Sequence, residues 1–348
     1  MKRVRRPVLS WCLAVAAAVM AAACGGRPEP GLRLDESAAG SAATVDLFVA
    51  TTRRPSDDEA LRFSGERTLS PRFATMTISL PRERKEGEII WPRGGWPDPA
   101  TAFAATRFET VERDKARNAL VQTMRRKGST HVLVFVHGYN TRFDEAAFRF
   151  AQIIADTGAP VAPVLFSWPS WGSLIAYPYD RESAAISRDG LESVLLGLAR
   201  NPGVSQVSVL AHSMGGWLTL EALRQIAIRE REIPAKIANV MLAAPDVDVD
   251  VAAALGRSLL AARRRPKLTL FVSNDDRALS ASRLLWGSRD RLGSINPNSE
   301  PYRTNLARNG VDVIDLTSDA SGDSLNHGKF ATSPQVVQLI GRRLASGQ

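Results

Sequence analysis

Four histidines and two cysteines are spread through a chain of 348 residues. Groups able to exchange a proton near neutral pH by rapid titration are therefore few. One of them lies in the stretch Val207-Ser208-Val209-Leu210-Ala211-His212-Ser213-Met214-Gly215-Gly216. Its first half is short, apolar and β-branched, as a buried parallel strand requires. From Trp217 onward, Leu220, Leu223 and Ile226 recur at helical spacing. Ser213 thus stands at a sharp strand-to-helix turn, with the small Ala211 and Gly215 two places to either side, where a larger side chain would not fit. Gly216 permits close packing of the helix. Such a turn lifts a serine hydroxyl above a sheet edge as a nucleophile.

A serine hydroxyl needs a base to take its proton. His131 opens a strand and lies at the wrong sheet edge. His212 is locked beside Ser213 in the turn. His137 sits in the turn after the apolar run 131–136, where a structural role holding the loop is preferred. His327 alone follows the last strand and is left as the general base, so the order is Ser…Asp…His. The acid that orients it is expected at Asp276, after the strand 268–272. Asp246, after the preceding strand 239–243, is the alternative, with Asp248 and Asp275 behind it; each could instead be a helix N-cap. Backbone N–H groups must meet the developing oxyanion. The amides of Tyr139, after His137-Gly138, and of Met214 are the expected donors. A set of this kind is expected to perform acyl transfer.

The elements that must position these groups are read from periodicity. Strands are expected over 45–50, 73–80, 131–136, 161–167, 207–210, 239–243, 268–272 and 311–316. Helices are expected over 114–126, 142–156, 183–199, 217 onward, 252–262 and 335–344, and residues 87–99 read as loop. Trp91 and Trp96 there read as packing residues. Alternation of strand and helix from residue 131 predicts a mostly parallel central sheet with helices on both faces, with function at the strand C-terminal ends. The fold class is that of an α/β-hydrolase. Segments 168–180 and 286–303 are expected to cover the site. No internal repeat is visible.

Five motifs occur in order: His137-Gly138-Tyr139-Asn140, Phe166-Ser167-Trp168-Pro169-Ser170, Ala211-His212-Ser213-Met214-Gly215, Ala244-Pro245-Asp246-Val247-Asp248 and Ser273-Asn274-Asp275-Asp276-Arg277-Ala278-Leu279. With them the chain, from about residue 45 to 344, resembles a bacterial family of α/β-hydrolase-fold proteins long described only as a domain of unknown function. The resemblance implies a serine-hydrolase site of Ser213, Asp276 and His327, and no particular substrate. Ser70-Pro71-Arg72 departs from the family's glycine-containing turn and leaves the register of the first strands open.

The N-terminus reads as a targeting segment. Lys2, Arg3, Arg5 and Arg6 carry four of the formal +9 charges and precede an apolar run over 8–23 that ends in Ala21-Ala22-Ala23-Cys24. That is the pattern of a secretory signal, too short for a comfortable spanning helix. Small residues before a cysteine predict cleavage of residues 1–23 and lipidation of Cys24; Cys12 would leave with the signal and no disulfide partner would remain. Residues 24–44, rich in Gly, Pro, Ala and Ser, read as a flexible tether. Residues 45–348 read as the hydrolase domain, with N-terminal strands and a helix over 45–127 and the catalytic core over 128–348.

The expected function is an exported carboxylic ester hydrolase anchored on the periplasmic side of the cell envelope, or soluble there if only cleaved. Its substrate is a small-molecule or lipid acyl compound. The alternatives are a lipase, thioesterase or peptidase with the same chemistry, or a catalytically silent scaffold. No metal-ligand spacing is present and no cofactor is expected. The remaining basic residues are dispersed apart from Arg125-Arg126-Lys127 and Arg263-Arg264-Arg265, and no aromatic-interleaved basic face points to nucleic acid.

Overall fold

The computed structural model describes residues 27–35, 43–286 and 289–346. Cys24 and the signal segment lie outside the described residues. One nine-stranded sheet runs through the molecule in the order β3-β2-β1-β5-β4-β6-β7-β8-β9. Its parallel part is β5 (Ala162–Ser167), β4 (His131–Val136), β6 (Gln206–His212), β7 (Ile237–Ala243), β8 (Lys267–Val272) and β9 (Val311–Asp315). β1 (Ala43–Pro55) pairs parallel with β5 and antiparallel with β2 (Phe63–Leu80), and β3 (Ala104–Val111) closes the edge antiparallel to β2.

The apolar runs of the inner strands follow from burial on both faces. In β4, Val132, Val134 and Val136 enter one core while Leu133 and Phe135 enter the other, as the two-residue period of a strand requires. The first core is covered by α1 (Ala116–Lys127), α3 (Tyr177–Arg200), α4 (Met214–Glu230) and α5 (Val249–Ala261), through Leu120, Leu195, Leu223 and Leu259. The second is covered by α2 (Phe143–Thr157) and α9 (Pro334–Ala345), through Phe150, Ile154 and Ile340. α6 (Arg277–Trp286), α7 (Tyr302–Arg308) and the short α8 (Lys329–Thr332) stand at or near the loop ends. The fold is that of an α/β-hydrolase, as the alternation predicts.

The N-terminal third extends and corrects the sequence reading. The two expected strands extend to 13 and 18 residues. A third, Ala104–Val111, is added, where Arg107 and Glu109 sit on an exposed edge and weaken the apolar alternation. The register left open at Ser70-Pro71-Arg72 contains an irregularity: Thr51 faces Arg72, but Arg53 faces Arg67. Finally, residues 27–35 of the expected tether are packed on the domain. Leu32 is fully buried and its amide donates to Ala60 O at 3.0 Å, Leu34 bridges Ala105, and Arg27 pairs with Glu145. Composition alone hides this, because the anchoring contacts are made by single residues.

Candidate active site

The elbow is built from close approach. Ser213 adopts φ 53° and ψ −122°, a conformation that costs a non-glycine residue of order 1–3 kcal/mol and must be held by its surroundings. It is held from both sides: Ser213 N donates to Ala243 O at 2.9 Å on the neighbouring strand, and Gly216 N donates to Ser213 O at 2.9 Å. A side chain at Gly215 would overlap the carbonyl oxygens of Val136 and His137, and one at Gly216 would press on Pro245. Ala211, in the first small position, is fully buried in its place. α4 begins at Met214, so its first amides point along the positive end of the helix dipole.

His327 is brought to this elbow by a loop that is itself tied down. Its amide donates to Asp323 Oδ1 at 2.9 Å, and its carbonyl accepts from His212 Nε2 at 3.3 Å. The two imidazole rings lie 4.6 Å apart. His327 Nδ1 meets Asp276 Oδ2 at 2.7 Å, and Asp276 Oδ1 accepts Leu279 N–H at 2.9 Å. Asp276 is completely buried. Burial pushes the His327 ring down, but the charge and hydrogen bond of Asp276 outweigh it and hold the ring above its ordinary value. His212 is driven well below its ordinary value, by burial first and then by His327, so it is a neutral neighbour rather than a second base. Among the described residues neither Ser213 Oγ nor His327 Nε2 makes a hydrogen bond within the protein. Such bonds are often long without substrate.

The other aspartates are engaged elsewhere. Asp246 accepts from Tyr177 Oη at 3.1 Å and from Ser282 Oγ at 3.0 and 3.1 Å, and pairs with the buried Arg291 at 3.4 Å. Asp248 caps α5 through the amides of Asp250 and Val251. Asp275 pairs with the buried Lys329, whose Nζ also donates to Ser273 Oγ and to the carbonyls of Leu316 and Thr317. His131 sits at the opposite end of the sheet, 2.9 Å from Ser208 Oγ.

The turn after β4 is a rigid platform. Gly138 is needed there, since a Cβ would lie 2.9 Å from His212 Nδ1 and 3.0 Å from Ser213 Cβ. His137 stacks on Trp168 at 5.0 Å, donates from Nδ1 to Gly138 O at 2.9 Å and accepts at Nε2 from Ser167 Oγ at 3.0 Å. Burial and the Arg53 charge push it down to about 3, which keeps the ring neutral, and the Gly138 carbonyl sets the tautomer. Arg53 is 1% exposed and donates to Ser167 Oγ, Ser64 O, Ser170 O and Thr141 O at 2.7–3.1 Å. Burial lowers it to about 10, still charged at neutral pH. Asp180 binds the other side of the turn, accepting from Asn140 N, Trp171 N and Ser170 Oγ. The Tyr139 and Met214 amides are bonded to no acceptor among the described residues.

A family model described as alpha/beta hydrolase of unknown function (DUF900) matches residues 112–343. The chain belongs to this family. An uncharacterized protein of a Nostoc species, alr1448, is 26% identical over 171 residues, which span 41% of this chain and 43% of that protein. Among solved structures, this hydrolase is similar to a carboxyl esterase of Tuber melanosporum, 11% identical over 99% of each chain with a TM-score of 0.43. It is also similar to a Pyrobaculum calidifontis esterase, 13% identical over 79% of this chain and 81% of that one with a TM-score of 0.38. Neither likeness bears on substrate.

Three site residues of the hydrolase escape sequence reading: Arg53, Asp180 and Lys329. Arg53 carried a usable signal, a cation continuing an apolar strand toward its C-terminal end, next to an Arg54 that is exposed. Asp180 and Lys329 carried none, because their partners lie on other elements.

Proposed function

We propose that this protein is an exported, membrane-anchored serine hydrolase of carboxylic esters, with Ser213 as nucleophile, His327 as general base and Asp276 as its orienting acid, lipidated at Cys24. The observation that carries the reading is the 2.7 Å bond from His327 Nδ1 to a fully buried Asp276, formed beside a serine in strained elbow geometry. Ser213 Oγ attacks the ester carbonyl as His327 Nε2 takes its proton. The oxyanion receives the Tyr139 and Met214 amides, which are fixed in advance and cost no reorganisation. His327 then returns the proton to the leaving alkoxide, giving an alcohol and an acyl-serine. Water, deprotonated by the same ring, attacks that acyl-serine, and the acid and free serine are released. Arg53, His137 and Asp180 act as positioning residues for the Tyr139 turn.

Labelling the intact protein with a fluorophosphonate tests this. Wild type is expected to label and Ser213→Ala to remain unlabelled; a folded wild type that does not label refutes the mechanism.

A further inference from the structure

The exposed apolar side chains are not scattered evenly. Among the described residues, half of the large ones belong to three segments at the strand C-terminal ends that carry the site. Trp171 (51% exposed), Leu174 (55%) and Ile175 (82%) follow β5; Leu284 (82%) and Leu285 (71%) close α6, the helix that begins next to Asp276; Leu325 (48%) precedes His327 by two residues. These segments are tied together. Tyr139 Oη donates to Ser173 O and Leu174 O, Tyr177 and Ser282 meet on Asp246, and Arg277 N donates to Leu325 O. The exposed side chains form an apolar rim on the loops that carry Tyr139, Asp276 and His327, joined by these polar contacts. Exposing such a rim to water is unfavourable, and apolar patches of this kind mark interaction surfaces.

A second observation identifies the partner. Arg27 is fixed at the same rim: its guanidinium donates to Gly172 O, Asn140 O and Asn140 Oδ1 and pairs with Glu145. Gly172 lies between Trp171 and Leu174. Cys24 is three residues from Arg27 in sequence, and three residues span at most about 10 Å. Whether the chain is held by a lipid on Cys24 or by the uncleaved apolar run 8–23, the attachment point to the bilayer is leashed within about 10–14 Å of the Arg27 backbone, whose guanidinium is fixed at this rim.

We propose that the rim of Trp171, Leu174, Ile175, Leu284, Leu285 and Leu325 docks on the bilayer that anchors the chain, so that the site faces the membrane and takes acyl esters of lipids from it. The substrate part of this rests on the serine-hydrolase reading; the docking part rests only on the proposed attachment of the N-terminus to the membrane. Apolar side chains enter the headgroup–acyl boundary to roughly 5–10 Å in such contacts. The acyl carbonyl of a lipid lies at that boundary, near the mouth.

The test uses the full chain reconstituted into phosphatidylethanolamine/phosphatidylglycerol vesicles. Tryptophan fluorescence is measured with bromine-labelled acyl chains as quencher, comparing wild type with Trp171→Phe. Quenching that falls in Trp171→Phe, and falls again in Leu284→Ser/Leu285→Ser, is expected. Equal quenching of wild type and Trp171→Phe overturns the docking. In parallel, turnover of a bilayer-borne fluorogenic ester should drop at least about tenfold in Leu284→Ser/Leu285→Ser, while a water-soluble short-chain ester changes less than about twofold. An equal loss on both esters overturns the lipid substrate. If wild type cleaves neither ester, the hydrolase reading fails, and the quenching comparison still decides the docking.

Discussion

Replacing Asp276 by Asn removes a charge while keeping the shape of the side chain, and the surroundings dictate how the amide must sit. In the wild type Oδ1 accepts Leu279 N–H at 2.9 Å and Oδ2 meets His327 Nδ1 at 2.7 Å. An amide can satisfy Leu279 only by placing its oxygen there, which turns its NH2 toward His327. The ring must then accept at Nδ1 and carry its proton on Nε2, where it can no longer take one from Ser213. The other amide orientation sets two donors against each other at Leu279, inside a site with no exposure. The first orientation avoids that clash and is favoured, so the base is lost, at a cost of about 10³–10⁴ in kcat for a triad of this type. A second readout has a fixed sign. Asp276 raises the His327 ring against the lowering effect of burial. The acid limb of kcat/KM in the wild type is therefore expected above the ordinary histidine value of about 6.5, since only the neutral ring is a base. In Asp276→Asn the residual acid limb should move to lower pH. The assay is short-chain ester hydrolysis over pH 5–9, with circular dichroism to confirm folding. Activity within about tenfold of wild type, or a limb that moves upward, refutes the assignment.

Two further substitutions test the geometry around Ser213. Gly215→Ala in an ordinary helix would stabilise by about 1 kcal/mol. Here the new methyl overlaps the Val136 and His137 carbonyls, so thermal melting should show a loss instead, with turnover reduced at least about a hundredfold as the elbow shifts. Arg53→Met leaves the carbonyls of Ser64, Thr141 and Ser170 without their buried donor and should cost about 3 kcal/mol or more in chemical denaturation, with kcat falling more than KM rises. A variant as stable as wild type would show that the cation does not hold the turn.

The sequence revealed most where one element supplied the whole signal. The strand-to-helix elbow, with Ala211, Gly215 and Gly216 around Ser213, is local, and close packing requires those residues whatever lies elsewhere. The inner strands were legible for the same reason, since burial on both faces leaves a continuous apolar run. The edge strand at 104–111 was not, because three of its eight residues are exposed and three more are only half-buried. The platform under Tyr139 was least legible. Apart from Ser64, the partners of the Arg53 side chain lie 84–117 positions away, and nothing in its neighbourhood records that Ser167 and Ser170 will arrive beside it. Lys329 is alike: its ion pair with Asp275 makes one unit of the loop ends after β8 and before α8, and only the folded chain brings them together. Arg27 reads in sequence as part of a tether and becomes a fixed point only through Glu145, Asn140 and Gly172.

Asp246 and Asp276 posed the hardest choice, since each follows a strand in the parallel sheet and composition does not separate them. Their surroundings do. Asp276 has one oxygen committed to Leu279 and the other turned to His327. Asp246 has both oxygens taken by Ser282, one also by Tyr177, with Arg291 alongside at 6% exposure. Its work is to join the start of α3 to α6 beneath the apolar rim, and its charge reaches His327 only at a distance, in the direction that raises the ring. Asp246→Asn can keep hydrogen bonds to Tyr177 and Ser282 but leaves the buried Arg291 cation without its counter-charge. It should therefore lower the melting temperature, with a loss of order 3 kcal/mol as for other broken buried pairs. Its kcat on a water-soluble ester should fall no more than about tenfold, with an acid limb displaced slightly downward. Parallel measurement of the two Asn variants decides the matter: a loss of about 10³ or more in Asp246→Asn, with Asp276→Asn active, would exchange their roles.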